Sequence, residues 1–423
     1  MASMDHDIPV AAVTSPPEHH YFGYFNVSPW DATDRYMVAL ACDFNDRPQR
    51  PGDVARIGLI DTQQSNAWTT LAETRAWNWQ QSCMLQWLGP ACDRHILYND
   101  IADGRPVTRV LDVFSGHTRT LPLPTYCVSR DGTQAISVNF GRLHVVRPGY
   151  GYVGAPNPSA GVARPADDGL WWMDLTTGEH KLILTLEQLA ALAPKPSMRG
   201  AMHWAIHMQF NTDDSRFVLL HRWERPVGRV GYFARRVRAK LRLICGRPAR
   251  PARITRMLTC RPDGTDLRIL ADDGMVSHFD WMDPHHITGW GTVAGPGDHY
   301  TTWDDRDGST EVVGADVLNC DGHCSFSPDR RWLLTDTYPD PATQKRALVL
   351  YRPADNTRFT IGRFYSPPEM WGEIRCDLHP RWNRAGTRVC FDSIHEGPRQ
   401  VYVADVADLV RLRDGQTPTG EAV

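Results

Sequence analysis

The chain has 423 residues, of which 42% are hydrophobic and 22% charged, a balance that excludes wholesale disorder. Forty-six Lys or Arg face 49 Asp or Glu, so the net charge of -3 gives no global pull toward nucleic acid, and any electrostatic function must be local. No apolar run reaches the roughly 18 residues that a transmembrane helix requires.

Residues 1–20 read as a polar N-terminal tail. Residues 1–17 lack the basic start and apolar stretch of a secretory leader, which points to a cytoplasmic protein. The ten cysteines are scattered, many of them inside apolar runs, and then read as reduced, buried thiols. From Tyr21 onward a unit recurs: a short hydrophobic strand, a tight polar turn and a second hydrophobic strand. Ser28 to Asp31 precede the run 35–40, and Ser129 to Gly132 precede 134–138. Asn211 to Asp214 precede 216–220, and Asp283 precedes 286–290. Ser327 to Asp329 precede 332–336, and Asn383 to Gly386 precede 388–392. A degenerate seventh copy lies between Gln86 and Tyr98. Asp, Asn, Gly and Pro supply the backbone angles and side-chain hydrogen bonds of such turns. After several copies come a third strand ending in Asp, as at 57–61, 171–174 and 401–405, and a fourth, as at 181–184.

Four antiparallel strands repeating every ~45–60 residues are the pattern of a propeller blade. The expected fold is therefore all-β: one seven-bladed β-propeller over residues 21–412, followed by a C-terminal tail at 413–423. The blades start near Tyr21, Trp77, Tyr126, His203, His278, His323 and His379. Residues 225–256 break the repeat between the second and third strands of blade four, with eleven Lys or Arg and no acid. Val230, Phe233, Val237, Leu241 and Ile244 recur there at helical spacing, so the insertion reads as a basic amphipathic helix. It would suit an acidic polymer or an anionic surface, or else be a solvated segment packing its apolar face on the propeller.

Propeller geometry gathers the residues just before each repeat at one end of the central channel. His278, His323, Cys376 and His379 come from three consecutive blades, and imidazole with thiolate is a donor set for a borderline divalent ion such as zinc. Alternatively these histidines are hydrogen-bonded structural residues. A second cluster holds His203, His207, His221 and Arg222, which would suit a base and a carboxylate clamp. It would equally suit an Arg stacked on Trp223 and buried histidines bonded to carbonyls. A third holds Trp77, Asn78, Gln80 and Gln81, with Tyr98 and Asn99 on the next strand and Arg381 on blade seven. Planar amides and aromatic rings suit sugar hydroxyls and pyranose faces, and also plain blade-to-blade bonding.

The repeat of Ser325 to Asp329 resembles the TolB-type propeller. The His323 blade start followed by Cys376-x-x-His379 resembles oligogalacturonate lyase, and the propeller-type ulvan lyases are similar. The resemblance implies a divalent metal held at these blade starts. Cys376 stands where that family has Gln and Arg381 where it has a further His, which favours zinc over manganese. It also implies an acidic saccharide substrate cleaved by β-elimination, with Gln80 and Asn99 on blade two where the ulvan lyase pattern has His. In that reading Arg222 or the metal neutralises the uronate carboxylate. His207 takes the proton, with His203 or His221 as the other candidates. Tyr150 or Tyr98 protonates the departing oxygen. The rival expectation is a non-catalytic propeller that binds saccharide or protein. A carboxylate hydrolase ranks last, because Asp100, Asp280 and Asp336 form no spaced pair.

Overall fold

The turns of the repeat share one hydrogen-bond pattern. Asp31, Ser129, Asn211, Ser327 and Asn383 each accept, through a side-chain oxygen, the backbone N–H five residues on, at 2.8–3.1 Å. Two residues before that donor, Asp34, Gly132, Asp214, Arg330 and Gly386 take φ values of 57° to 72°. The left-handed residue reverses the chain and the side chain replaces the missing ladder bond. Neighbouring turns are also tied together: Asp34 accepts the backbone N–H groups of Arg384 and Ala385, and Asp214 those of Arg130 and Asp131.

The structure, a computed structural model, describes residues 4–5, 7–226 and 254–412. Seven antiparallel sheets follow one another in chain order and form a seven-bladed propeller. Their inner strands are His19–Tyr21, Gln86–Trp87, Cys127–Val128, Met202–Phe210, Val276–Trp281, Ser325–Phe326 and Arg381–Trp382. These begin within about two residues of the expected blade starts, except in blade two, where the inner strand begins nine residues after Trp77. Apolar side chains from adjacent blades interlock, as where Trp204, Phe217 and Leu258 of blade four share a core with Phe279 and Ile287 of blade five.

The N-terminal segment corrects the expectation of a tail over residues 1–20. Val10–Ala12 form the outer strand of blade seven, antiparallel to Gln400–Asp405, with Val10 opposite Ala404 and Ala12 opposite Tyr402. Met4–Asp5 add a parallel fifth strand to blade six beside Thr357–Tyr365. Both pairings cover sheet edges that would otherwise present unpaired backbone groups. In blade four, Phe217–Glu224 pairs with Ile254–Cys260. The basic insertion leaves from between those strands, and its expected helix lies outside the described residues. No disulfide forms among the described cysteines, and no helix of the described residues is long and apolar enough to cross a membrane.

Candidate metal centre and channel site

Four histidines from four consecutive blades meet in the channel. The rings of His278 and His323 lie 4.0 Å apart between centroids, those of His323 and His379 4.3 Å, and those of His207 and His278 6.3 Å. Backbone geometry contributes: His207 sits at a register shift in strand Met202–Phe210 with φ 53°, and His379 has φ 43°. A non-glycine residue in this region is uncommon and aims its side chain away from the run of the strand.

Asp336 organises the centre of the group. Its carboxylate lies 2.9 and 3.0 Å from His323 Nδ1 and accepts the backbone N–H groups of His323 and His379. A carboxylate only accepts, so Nδ1 of His323 carries the proton and Nε2 the lone pair. The Nε2 atoms of His323 and His379 are both buried without a hydrogen-bond partner. Asp377 Oδ2 stands 4.0 Å from the first and 3.9 Å from the second. The ligand atoms of His323, Asp377 and His379 all lie within 4.8 Å of one another. Arg375 at 2.6 Å and Arg346 at 2.9 Å hold Asp377. Burial pushes this carboxyl upward, and the two guanidiniums outweigh it and keep it ionised, well below the usual carboxylate range. A buried polar atom left unpaired costs about 1–3 kcal/mol. Two imidazole nitrogens orphaned beside a carboxylate therefore fit a divalent cation.

Around this group stand the other channel residues. His207 Nδ1 is hydrogen-bonded to the Tyr24 hydroxyl, and its Nε2 lies 3.5 Å from Arg222 Nη1. Burial first, then the Arg222 charge, hold the His207 imidazole neutral, well below its ordinary value. Arg222 also donates to Thr255 Oγ1 at 3.1 Å. His278 Nδ1 is 3.0 Å from Asp321. Tyr150 stands edge-on to His207 and accepts from Arg375 at 2.8 Å. Burial raises the Tyr150 phenol, and Arg375 and Arg147 outweigh it, bringing it to about 8.

Several expected site residues lie elsewhere. Cys376 is outside the compact ligand group, and its neighbour Asp377 takes that place. The preference for zinc over manganese rested on the Cys376 thiolate and loses that basis. His203 and His221 bond each other at 2.9 Å, and Arg256 donates to His221 at 3.1 Å, which ties them to one another and to the third strand of blade four rather than to the histidine group. Trp77 packs on Tyr21, Phe44 and Trp79. Asn78 accepts the N–H groups of Gln80 and Gln81; Gln80 donates to the carbonyls of Glu373 and Arg375. Gln81 pairs with Tyr126, and Asn99 with Thr125 and Tyr152. Tyr98 is buried in the blade-two core. Arg381 is spent on Asp392 at 2.7 Å and on the carbonyls of Gly23 and Tyr24. These amides and rings satisfy backbone groups within and between blades, and so are not free for a sugar. Among the carboxylates weighed for a hydrolase, Asp336 is engaged by His323, Asp280 accepts from Gln209 and Phe326, and Asp100 pairs with Arg109. The residues missed were Asp321, Asp377, Arg375 and Arg346. An Asp two residues before the histidine at two blade starts, Asp321-Gly322-His323 and Asp377-Leu378-His379, was the available signal.

No protein-family model matches the chain, and no curated protein matches it. Solved structures do. An oligogalacturonate lyase in complex with manganese superposes with a TM-score of 0.64 at 16% identity, over 95% of this chain and 94% of that one. An oligogalacturonate lyase from Vibrio parahaemolyticus gives 0.60 at 14% identity, over 94% of each. A puromycin-hydrolysing peptidase of Mycobacterium tuberculosis gives 0.51 at 10% identity, over 96% of this chain and 55% of that one. The chain thus has the seven-bladed fold of the oligogalacturonate lyases along nearly its whole length.

Proposed function

We propose that the protein is a metal-dependent lyase that cleaves uronate-containing saccharides by β-elimination. The observation that carries this reading is the pair of buried, unpartnered Nε2 atoms of His323 and His379 beside Asp377. The full-length fold match to lyases, one of them bound to manganese, supports it.

His323, Asp377 and His379 would hold the metal, which when bound supplies positive charge for the uronate carboxylate. Arg222 is the second cation for that carboxylate. Charge develops there as the C5 proton leaves, so a guanidinium fixed in a low-dielectric channel is worth most in the transition state. His207, the base expected from the sequence, is engaged at both nitrogens, by Tyr24 and Arg222. His278 is the better acceptor: its Nδ1–H donates to Asp321, which fixes the tautomer that leaves the Nε2 lone pair available. His278 removes the C5 proton, the C4–O bond breaks, a C4=C5 double bond forms, and the Tyr150 hydroxyl protonates the departing oxygen. With its phenol near 8, Tyr150 transfers that proton readily at neutral pH.

One observation favours the alternative, a propeller that binds saccharide or protein without turning it over. His207, His278, His323 and His379 are all 6% exposed or less, and residues 372–375 reach over the channel to Tyr150 and Gln80. A lyase must move that cover to admit substrate. The test is ultraviolet absorbance of the conjugated C4=C5 product when metal-loaded protein meets polygalacturonate, ulvan and their oligosaccharides. Absorbance that rises and disappears in His379→Ala supports the lyase. Saccharide binding without any rise supports the alternative.

A further inference from the structure

The channel is divided. Tyr24 and Phe25 touch the histidines on one side, Tyr24 stacking on His207 and Phe25 against His278 and His323. On their other side the same two residues line a cavity of about 370 Å³ to which all seven blades contribute. That is the size of a hexose or disaccharide site.

Three guanidiniums reach the cavity, from the turns that follow the inner strands of blades three, six and seven: Arg130, Arg330 and Arg384. Arg330 donates to the Trp281 carbonyl at 3.1 Å and stands 3.6 Å from Asp280. Arg384 donates to the Trp30 carbonyl at 3.1 Å. The Arg130 guanidinium makes no hydrogen bond or ion pair with the described residues. Desolvation, then repulsion from Arg330, lower its affinity for its proton, with Arg384 adding to the repulsion. Inside, Arg381 is neutralised by Asp392, so Asp280 is the acid of the cavity lining set against the three cations of the rim, while Asp214 and Asp34 sit behind the rim on the backbone of the Arg130 and Arg384 turns. Two buried polar atoms on the cavity residues Ser325 and Gln209, the Oγ and the Oε1, lack any hydrogen-bond partner. Trp87, Phe326 and Trp382 supply flat apolar wall.

We propose that this cavity is a second ligand site, separate from the metal centre, that binds a hexose-sized anion whose carboxylate or phosphate group sits among Arg130, Arg330 and Arg384. Three like charges converging on one opening repel each other, and an anion removes that cost while gaining charge-assisted hydrogen bonds. The aromatic wall offers a face for the ring. The site does not depend on the lyase reading.

The test is isothermal titration of the full chain with galacturonate, glucose 6-phosphate and, as the uncharged control, glucose. At least one of the two anions binds and glucose does not; which anion is tighter identifies the carboxylate or the phosphate as the natural group. The double variant Arg130→Gln/Arg384→Gln, checked for an unchanged melting temperature, weakens binding about tenfold or more. His379→Ala, which alters only the far side of Tyr24 and Phe25, leaves it unchanged. The proposal is overturned if neither anion binds, if the double variant binds as wild type does, or if His379→Ala abolishes binding, which would place the ligand at the metal centre.

Discussion

The rings of His278 and His323 lie 4.0 Å apart between centroids at a tilt of 43°, yet each donates a hydrogen bond from Nδ1–H to a different carboxylate: Asp321 for His278, Asp336 for His323. Neighbouring imidazoles are thereby fixed in the same tautomer, one suited to take a proton and the other to bind a cation. Asp336→Asn should undo this for His323, because an amide can donate as well as accept. The expected result is a metal affinity lower by about 10- to 100-fold, read by titration with manganese and zinc. Unchanged affinity for both ions would remove Asp336 from the metal centre.

Metal content separates the two ligand sets. His379→Ala should purify without stoichiometric metal, whereas Cys376→Ser should retain it, as elemental analysis would determine. Loss of metal in Cys376→Ser would restore the thiolate expected from the sequence and displace Asp377. His379→Ala is preferable to a change at Asp377, because removing that carboxylate leaves the Arg346 and Arg375 charges buried without their partner.

Arg222→Ala should lower kcat/KM for uronate elimination by about 100-fold or more, the range seen when one charge-stabilising donor is removed from a preorganised site. Arg222→Lys should recover part of it. Retained activity in Arg222→Ala, against an activity first demonstrated for the parent protein, would reject the clamp.

The His203–His221 pair sets a pH dependence of stability away from the metal centre. Burial, with the Arg256 charge beside them, lowers both imidazoles, His203 to about 4 and His221 well below its ordinary value. The unfolded chain takes up protons near pH 6.5 and the folded chain does not, so stability is lost as pH falls through the interval from about 6.5 to about 4. The loss is well developed between about pH 7 and about pH 5. Urea unfolding at the two pH values measures it, and His203→Asn should flatten the dependence. An equal slope in that variant would refute the assignment.

The propeller was legible because its information is local. A polar side chain, a left-handed residue three positions on and an amide five positions on lie within six consecutive residues, as in Ser327, Arg330 and Trp332. The Val10–Ala12 strand was not legible, because its partner is nearly the whole chain away and it carries no copy of the repeat. At the site, the histidines converge as the blade starts implied. The difference between Cys376, expected from the sequence, and Asp377, which stands in the compact ligand group, came from ranking donors by softness before asking which neighbour lies by His323 and His379. The amides of blade two were visible as a polar cluster, but Asn78 and Gln80 turned out to serve backbone groups, a role that composition cannot distinguish from holding a sugar.

The pairing of Val10–Ala12 with Tyr402–Ala404 also governs assembly during translation. The first of these strands leaves the ribosome long before the second. Six blades can stack while blade seven is missing, but the ring stays open and the Val10 segment waits with its backbone groups unpaired. Throughout that interval it is an exposed edge able to join a sheet of another nascent chain. The same arrangement makes the closed ring indivisible: a break in either strand opens blade seven, which supplies His379.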